Sequence, residues 1–441
     1  MTPALVSCLL TLMSPAAFEA RWESLDTRPN PAWFEEAKFG IFIHWGVYSV
    51  PAWGPKERYA EWYWHDMEQK DSPTRKFHEK TYGAAFPYRD FAPLFRAELF
   101  EPAQWAELLA RSGARYVVLT SKHHDGFCLW PSAQAPDWNS VDIGPRRDLA
   151  GELTEAVRAR GLKMGFYYSL YEWFHPLYRS DVERYVEEHM LPQMKDLVQR
   201  YKPDLFWPDG EWEHRSATWR SAEFLAWLFN ESAAPADVAV NDRWGKETRN
   251  RHGGFATPEY GHIPGGPLIE QHRFEECQGM GKSFGYNRNE GVDDYRSATA
   301  LLHLLIDTVS RGGNLLLDIG PTADGRIPVI MQQRLVDMGQ WLAVNGEAIY
   351  GTMAWAEAPD TEAVRFTRKG DSLYAICLRW PGEELQVEMP EGCRAKEVTL
   401  LGLAQPLSFE QEHGGLRIQV PCLSPDALPC GHAYVFKLRT G

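Results

Sequence analysis

Short apolar runs alternate with stretches of helical spacing through roughly the first 350 residues of the chain. The runs are apolar at successive positions rather than at every second one, which is typical of strands covered on both faces of a sheet. Such runs lie at 39–45, 116–121, 164–168, 204–207, 238–241, 268–271 and 314–319. Strands that alternate with helices in this way predict a parallel α/β fold.

The segments between these runs carry helix start and stop signals. In the segment 101–114, Pro102 belongs to the first turn and Gly113 follows the last apolar position. The segment 148–161 begins with Asp148 at a capping position and ends at Gly161. Further helices are predicted at 181–200, 218–230, 295–311 and 328–345.

Helical spacing disappears after about residue 355. The segment 363–378 predicts two strands around a turn at 369–371, and short strand-like runs follow at 397–402, 416–421 and 433–438. We therefore predict an α/β fold, a (β/α)8-like TIM barrel followed by a small C-terminal antiparallel β-sandwich. The expected division is a signal-like segment at 1–20, the barrel at 21–352 and the sandwich at 353–441.

Composition narrows the class of ligand. The chain has 18 Trp, 18 Tyr and 21 Phe, and this excess favours a carbohydrate ligand because aromatic faces lie flat against the C–H faces of sugar rings. A large aromatic core is the alternative explanation. The net charge of −14 argues against nucleic acid and against an anionic membrane, because both bind basic surfaces.

The N-terminus and the cysteines bear on the cellular compartment. An apolar stretch at 4–13 precedes small residues and resembles a signal segment cleaved after Ala16, although basic residues are missing before it. Export is therefore favoured, with a cytoplasmic location as the alternative. No other stretch is apolar enough to insert into a membrane. Seven cysteines form no CxxC pair, and Cys422 and Cys430 are the pair that could bridge locally.

Unusual polar residues recur where five consecutive predicted strands end. Because all strands of a parallel barrel point the same way, these side chains should meet at the carboxyl-end mouth, where barrel enzymes have their active sites. The residues are His44, Lys122-His123-His124-Asp125, Tyr167-Tyr168-Ser169, Asp209 and Asn241-Asp242-Arg243.

Each of these positions also has a purely structural explanation. His44 alone would suit a satisfied core histidine, and Pro208-Asp209-Gly210 is a turn signature. The residues 123–125 could be metal ligands. However, the side chains of adjacent residues at a strand end point to opposite sides, and the sequence contains neither an HxH nor an HExxH metal-binding motif. We therefore predict no metal, and expect neutral imidazoles that bind sugar hydroxyls.

Asp209 is the candidate nucleophile. It ends an apolar segment between Trp207 and Trp212, and no Lys or Arg adjoins it, so we expect an ionised and unpaired carboxylate that attacks an anomeric carbon. Cleavage with retention needs a second, protonated carboxyl group about 5–5.5 Å away. Its pKa must be raised by burial or by its partner's charge. Glu259, Glu275 and Glu276 are the candidates, and spacing alone does not choose among them.

Several long segments together resemble the α-L-fucosidase family of retaining glycoside hydrolases. The resemblance implies a barrel followed by a β-sandwich, and hydrolysis of terminal α-L-fucosyl linkages of oligosaccharides or glycoconjugates. It also implies a covalent fucosyl-enzyme and no metal or other cofactor. The segments, in chain order, are WFEEAKFGIFIHWGVYSVPAW, YAEWYW, SKHHDGFCLWPS, GFYYSLYEW, YKPDLFWPDGEW, VNDRWG, HGGFATPEY, SFGYN, GGNLLLDIGPTADGRIP and WLAVNGEAIYGT.

The resemblance also assigns roles to individual residues. Asp209 matches the family's nucleophile in the W-x-D-G pattern, and Glu259 in T-P-E-Y best matches the acid/base, with Glu275 as the alternative. Phe284 would form an apolar wall, which suits fucose because it has a methyl group where most hexoses have CH₂OH. The matching substrate-binding residues are His44, Glu61, Trp62, His123, His124, Tyr168, Trp207, Arg243 and Phe284.

Two other functions compete with this hypothesis. One is a non-catalytic carbohydrate-binding barrel, which intact Asp209 and Glu259 argue against. The other is a metal-dependent barrel hydrolase, which the missing ligand spacing disfavours. The sequence does not indicate which linkage is cleaved, whether fucose is also transferred, or whether the chain forms a homo-oligomer.

Overall fold

The computed structural model describes residues 17–261, 273–356, 363–389, 393–412 and 414–440. The signal-like residues before 17 and the predicted strand at 268–271 lie outside the described residues. None of the helices in the described part of the chain has the length and apolar composition needed to span a bilayer.

Seven parallel strands form the central sheet, in the order β5-β4-β3-β2-β1-β7-β6. Every neighbouring pair in it is parallel, which confirms the α/β prediction. The strands are β1 Phe39–Ile43, β2 Tyr116–Lys122, β3 Lys163–Ser169, β4 Leu205–Asp209, β5 Ala239–Val240, β6 Glu275–Gly279 and β7 Asn314–Ile319.

An irregular segment at 254–260 lies between β5 and β6, in the place of an eighth strand. On one side the Phe255 N–H donates to the Val240 carbonyl at 3.2 Å. On the other, the Glu275 N–H donates to the Ala256 carbonyl at 2.8 Å, and the Cys277 N–H donates to the Pro258 carbonyl at 3.0 Å. Backbone hydrogen bonds therefore connect both edges of the sheet and give a TIM-like wall.

Helices surround this sheet, and each predicted helix is present within a few residues of its expected bounds. The 181–200 helix contains one π-helical turn, Val186–Met190. The α-helices are α1 Trp22–Leu25, α2 Ala32–Ala37, α3 Tyr63–Glu68, α4 Pro73–Thr81, α5 Pro102–Arg111, α6 Leu149–Ala159, α7 Pro176–Ser180, α8 Val182–Tyr185, α9 Leu191–Tyr201, α10 Ser221–Asn230, α11 Ala298–Ser310 and α12 Val329–Asn345.

Two apolar clusters fill the barrel. The larger lies between the sheet and the helices. The smaller fills the interior and includes Phe42, Tyr116, Tyr167 and Trp207 from four different strands. Bulky rings inside the barrel leave no open channel, so the interior forms a floor beneath the carboxyl ends of the strands.

The C-terminal part is a two-sheet sandwich, as predicted. A five-stranded sheet (β12-β15-β10-β9-β8) and a three-stranded sheet (β11-β14-β13) contribute to one apolar core. Cys422 and Cys430 are both free thiols, so the suggested local bridge is wrong. The strands are β8 Met353–Ala354, β9 Val364–Lys369, β10 Ser372–Cys377, β11 Glu384–Glu388, β12 Ala395–Leu400, β13 Phe409–Glu412, β14 Gly415–Gln419 and β15 Tyr434–Thr440.

Candidate active site

A cavity opens at the carboxyl ends of the barrel strands. It brings together all the residues given a catalytic or substrate-binding role except Tyr168 and the acid/base alternatives Glu275 and Glu276. Its lining consists of Phe42, His44, Tyr59, Glu61, Trp62, His123, His124, Tyr167, Trp207, Asp209, Trp212, Arg243, Glu259, Cys277 and Phe284.

Asp209 ends β4 and is buried at the bottom of this cavity. Arg243 Nη1 donates to its Oδ1 at 2.6 Å, and the Tyr167 hydroxyl donates to its Oδ2 at 2.8 Å. Burial alone would raise the pKa of Asp209, but the charge of Arg243 and its hydrogen bond lower that pKa to about 2. The carboxylate is therefore ionised, as expected, but the prediction that it is unpaired is wrong. Its partner follows β5, 34 residues along the chain, and only the fold brings the two together.

Arg243 joins Asp209 to Glu259. The guanidinium is buried over the Trp207 ring, 4.4 Å from its centroid, and its Nη2 donates to Glu259 Oε1 at 2.6 Å. Its Nε donates to Thr257 Oγ1 at 2.9 Å, in the segment that completes the barrel wall. The two carboxyl groups thus bind the two terminal nitrogens of one planar guanidinium, which holds them close to each other. The Glu259 side chain is 34% exposed, against 9% for Asp209.

Glu275 and Glu276 do not line the cavity. Glu275 begins β6 inside the barrel, where it accepts hydrogen bonds from the Tyr116 hydroxyl and, at 2.9 Å, from Trp207 Nε1. Burial raises its pKa to about 7. Glu276 Oε1 accepts from the Gly261 N–H at 2.8 Å and from Gln278 Nε2 at 2.6 Å. Both carboxyl groups thus already have hydrogen-bond donors within the protein.

Three uncharged histidines form one side of the cavity. Burial lowers the pKa of His44 to about 3 and that of His124 to about 4, and it lowers the pKa of His123 well below the ordinary value. His44 Nδ1 lies 2.6 Å from Asp318 Oδ1, and His124 Nδ1 lies 2.6 Å from Ser169 Oγ. These contacts fix both rings and leave the other ring nitrogen for a ligand hydroxyl.

Tyr167, not Tyr168, faces the cavity. The sequence prediction selected the wrong one of two adjacent tyrosines on β3, because successive strand residues point to opposite sides. Tyr168 faces the surrounding helices, where its hydroxyl donates to Gln193 Oε1 at 2.8 Å and Lys122 Nζ lies 4.1 Å from its ring centroid.

Glu61 holds the apolar wall in place. Its Oε2 accepts from the Gly285 N–H at 2.8 Å and from Ser283 Oγ at 3.3 Å, on either side of Phe284. Phe284 stacks on His44 with ring centroids 5.0 Å apart. Burial raises the pKa of Glu61 to about 7, so this carboxyl group can carry a proton near neutral pH.

Sequence reasoning gave five of the lining residues no catalytic or binding role, although Tyr167 was expected at the mouth. Trp212 could have been identified from the sequence, because Trp207 and Trp212 stand on either side of Asp209. Tyr59 could also have been identified, because it lies two positions before Glu61. Phe42 and Tyr167 are on predicted strands, but the strand pattern alone does not say which face is internal. Cys277 lies on β6, whose sequence EECQG lacks the apolar character of the other strands.

Within the described residues, Glu172, His175 and His189 form a group whose ligand atoms lie within 4.8 Å of one another. This group does not line the cavity. Glu172 Oε1 already accepts from Lys122 Nζ at 2.5 Å and lies 2.9 Å from His189 Nε2. A buried ammonium beside the carboxylate opposes the binding of a second cation there.

Comparison with known proteins gives consistent results over nearly the whole chain. The chain matches the family model described as Alpha-L-fucosidase over residues 8–347, and the model described as Alpha-L-fucosidase C-terminal domain over residues 359–439. An Alpha-L-fucosidase of Branchiostoma floridae is 45% identical, covering 98% of this chain and 98% of the relative. The Tissue alpha-L-fucosidase of Homo sapiens is 43% identical, covering 99% and 97%. The crystal structure of Thermotoga maritima alpha-fucosidase in complex with a mechanism-based inhibitor is similar with a TM-score of 0.83 and 40% identity, covering 96% of this chain and 100% of that one.

Proposed function

The chain belongs to the α-L-fucosidase family of glycoside hydrolases, and on that premise we propose that it hydrolyses terminal α-L-fucosyl linkages of oligosaccharides or glycoconjugates with retention. The observation that carries the proposal is the pair of carboxyl groups, Asp209 and Glu259, held on the single guanidinium of Arg243 in one aromatic cavity.

In the first step a carboxylate oxygen of Asp209 attacks C1 of fucose, and the bond between C1 and the glycosidic oxygen breaks. Glu259 gives its proton to that oxygen, so the leaving group departs as an alcohol. A protonated Glu259 can keep its carbonyl oxygen on Arg243 while its hydroxyl points to the glycosidic oxygen. The product is a fucosyl ester of Asp209.

In the second step the Glu259 carboxylate removes a proton from water, and the oxygen of that water bonds to C1. The ester bond breaks, Asp209 regains its charge, and fucose leaves with the configuration of the original linkage. The partial exposure of Glu259 supports this role, because the group must exchange protons and approach water while Asp209 stays buried.

The environment of Asp209 supports its role as the attacking group. Arg243 keeps the carboxylate ionised, and the Tyr167 hydroxyl orients its other oxygen. Buried charge-assisted hydrogen bonds of this kind hold a nucleophile in one position at little cost in reorganisation when the reaction occurs.

The remaining lining residues suit a deoxy sugar. Neutral His44, His123 and His124 can both donate to and accept from hydroxyl groups without adding charge. Phe284 offers an apolar surface that matches the methyl group of fucose. The cavity is thus polar on one side and apolar on the other, as a 6-deoxyhexose requires.

Replacement of the nucleophile tests this proposal. We expect Asp209→Gly to lower turnover of an aryl α-L-fucoside by at least about 10³-fold, because no group remains to form the ester. Added azide should restore part of the activity and yield β-L-fucosyl azide, since azide attacks from the side that Asp209 occupied. The rates and the anomeric configuration can be measured by absorbance and by NMR.

A chelator control separates the competing functions. Turnover by the wild type should be unchanged in chelator, whereas its loss would favour a metal-dependent hydrolase. Fucose binding without turnover by the wild type would favour the carbohydrate-binding barrel. Full activity of Asp209→Gly without azide would refute the mechanism.

A further inference from the structure

Trp212 is an exposed tryptophan at the mouth of the cavity. The residue is 41% exposed, although it lines the same cavity as Asp209 and His124. Most other tryptophans of the described barrel residues are buried or half-buried. A large apolar ring left open to solvent beside a polar cavity is a feature of binding surfaces.

Neighbouring rings fix the orientation of the Trp212 indole. His124 meets it at 66° with ring centroids 5.4 Å apart, and Tyr171 meets it at 69° with centroids 6.1 Å apart. Trp62 lies alongside at 6.0 Å with a tilt of 31°. Edge-on contacts of this kind are a favoured geometry for aromatic pairs. The indole is therefore held in one plane while part of its surface stays free.

The backbone that carries Trp212 is also anchored. Gly210 has φ +75°, a conformation that turns the chain sharply after Asp209 and that other residues rarely adopt. Glu211 is buried, accepts from Arg249 Nε at 2.7 Å through Oε1, and accepts from Trp219 Nε1 at 3.2 Å through its carbonyl. A ligand that stacks on Trp212 therefore meets a surface that needs little further ordering.

We propose that Trp212 is the stacking surface for the sugar to which fucose is linked. This inference rests on the proposed function and assigns a residue to its leaving-group side. Asp209 and Glu259 hold the fucosyl ring inside the cavity, so the leaving group extends toward the mouth. A flat indole there matches the C–H face of a pyranose.

The proposal separates two kinds of substrate. α-L-Fucosyl fluoride has no leaving sugar, and its fluoride departs without a proton from Glu259. A fucosyl disaccharide places a second pyranose at the mouth. An interaction with that pyranose raises kcat/KM for the disaccharide and leaves kcat/KM for the fluoride unaffected.

The experiment compares Trp212→Ala and Trp212→Phe with the wild type on the fluoride and on fucosyl disaccharides with 1→2, 1→3, 1→4 and 1→6 linkages. We expect Trp212→Ala to lower kcat/KM by about 10- to 100-fold on the best disaccharide and by a clearly smaller factor on the fluoride. Trp212→Phe keeps an aromatic face and should retain most of the disaccharide activity. Leu428→Ala, which removes an exposed apolar side chain far along the chain, should change neither rate.

Three results would overturn the inference. They are equal losses on the fluoride and the disaccharide, no loss on either, and a wild type that cleaves the fluoride but none of the four disaccharides. The fluoride rate of each variant also reports whether the cavity is intact. Failure of the wild type to hydrolyse the fluoride would instead contradict the proposed function, so the two failures are distinguishable.

Discussion

At the scale of single residues, Arg243 determines the charge state of the site. It is fully buried, and the carboxylate of Asp209 beside it compensates its positive charge. Asp209 in turn keeps a low pKa although burial alone would protonate it. A nucleophilic carboxylate can thus be ionised and ion-paired at the same time. The guanidinium donates a hydrogen bond to one carboxylate oxygen and does not protonate it.

Comparison of Glu259→Ala with Glu275→Gln tests the acid/base assignment. We expect Glu259→Ala to lower kcat/KM by roughly 10²–10⁴-fold on a fucosyl disaccharide, whose leaving group needs a proton. The loss should be much smaller on an aryl fucoside with a good leaving group. Added azide should give α-L-fucosyl azide, because azide then attacks the fucosyl ester from the opposite side to Asp209.

Glu275→Gln is the matched control, since it removes a buried carboxyl group that does not line the cavity. Its rates on both substrates should stay within a few-fold of the wild type. If Glu275→Gln instead shows the dependence on leaving group and Glu259→Ala does not, the two roles must be exchanged.

At the scale of secondary structure, the alternation of side chains along β3 decides which tyrosine reaches Asp209. Tyr167→Phe removes the 2.8 Å hydrogen bond to Asp209, and we expect it to lower kcat/KM by about 10- to 100-fold. Tyr168→Phe removes a bond to Gln193 behind the strand, and we expect activity within about twofold of the wild type. Steady-state kinetics on one aryl fucoside, with melting temperatures to confirm folding, measures both.

The opposite order of effects for these two variants would mean that the register of β3 differs from the one described. The pair is well matched, because each variant removes one buried hydroxyl from the same strand.

The other decisive element is the irregular segment at 254–260. It supplies Glu259 and Thr257 to the site while its backbone bonds β5 and β6. Its sequence, with one glycine and one proline in seven residues, has no strand pattern. A segment like this adopts its conformation only between two strands that offer it hydrogen-bond partners.

At the scale of the whole molecule, the buried acid Glu275 links stability to pH. Burial raises its pKa to about 7 from an ordinary 4.5. Between these values the folded protein binds a proton that the unfolded chain does not, so this group lowers the free energy of unfolding as pH rises through that window. Glu275→Gln cannot ionise and lacks this effect.

We therefore expect Glu275→Gln to be close to the wild type in stability at pH 5 and more stable than it at pH 8, by up to about 3 kcal/mol. Denaturant unfolding at both pH values measures the difference. Other titrating groups, including Glu61 and Asp209, act equally in both proteins and cancel in the comparison. A difference between variant and wild type that does not change with pH would show that the pKa of Glu275 is not raised in the folded protein.

The sequence by itself determined the order of strands and helices and the change from barrel to sandwich. It also identified most of the residues at the carboxyl-end mouth. These features follow from local patterns: apolar runs, capping residues and the common direction of parallel strands.

The tertiary structure alone decided that Arg243 pairs with Asp209, that Tyr167 rather than Tyr168 reaches Asp209, and that Glu275 is enclosed in the barrel. The strand β6 and the segment at 254–260 also became visible only there. Each of these features depends on contacts between residues far apart in the chain or on which face of a strand points into the barrel. A local sequence pattern specifies neither the distant contacts nor the internal face.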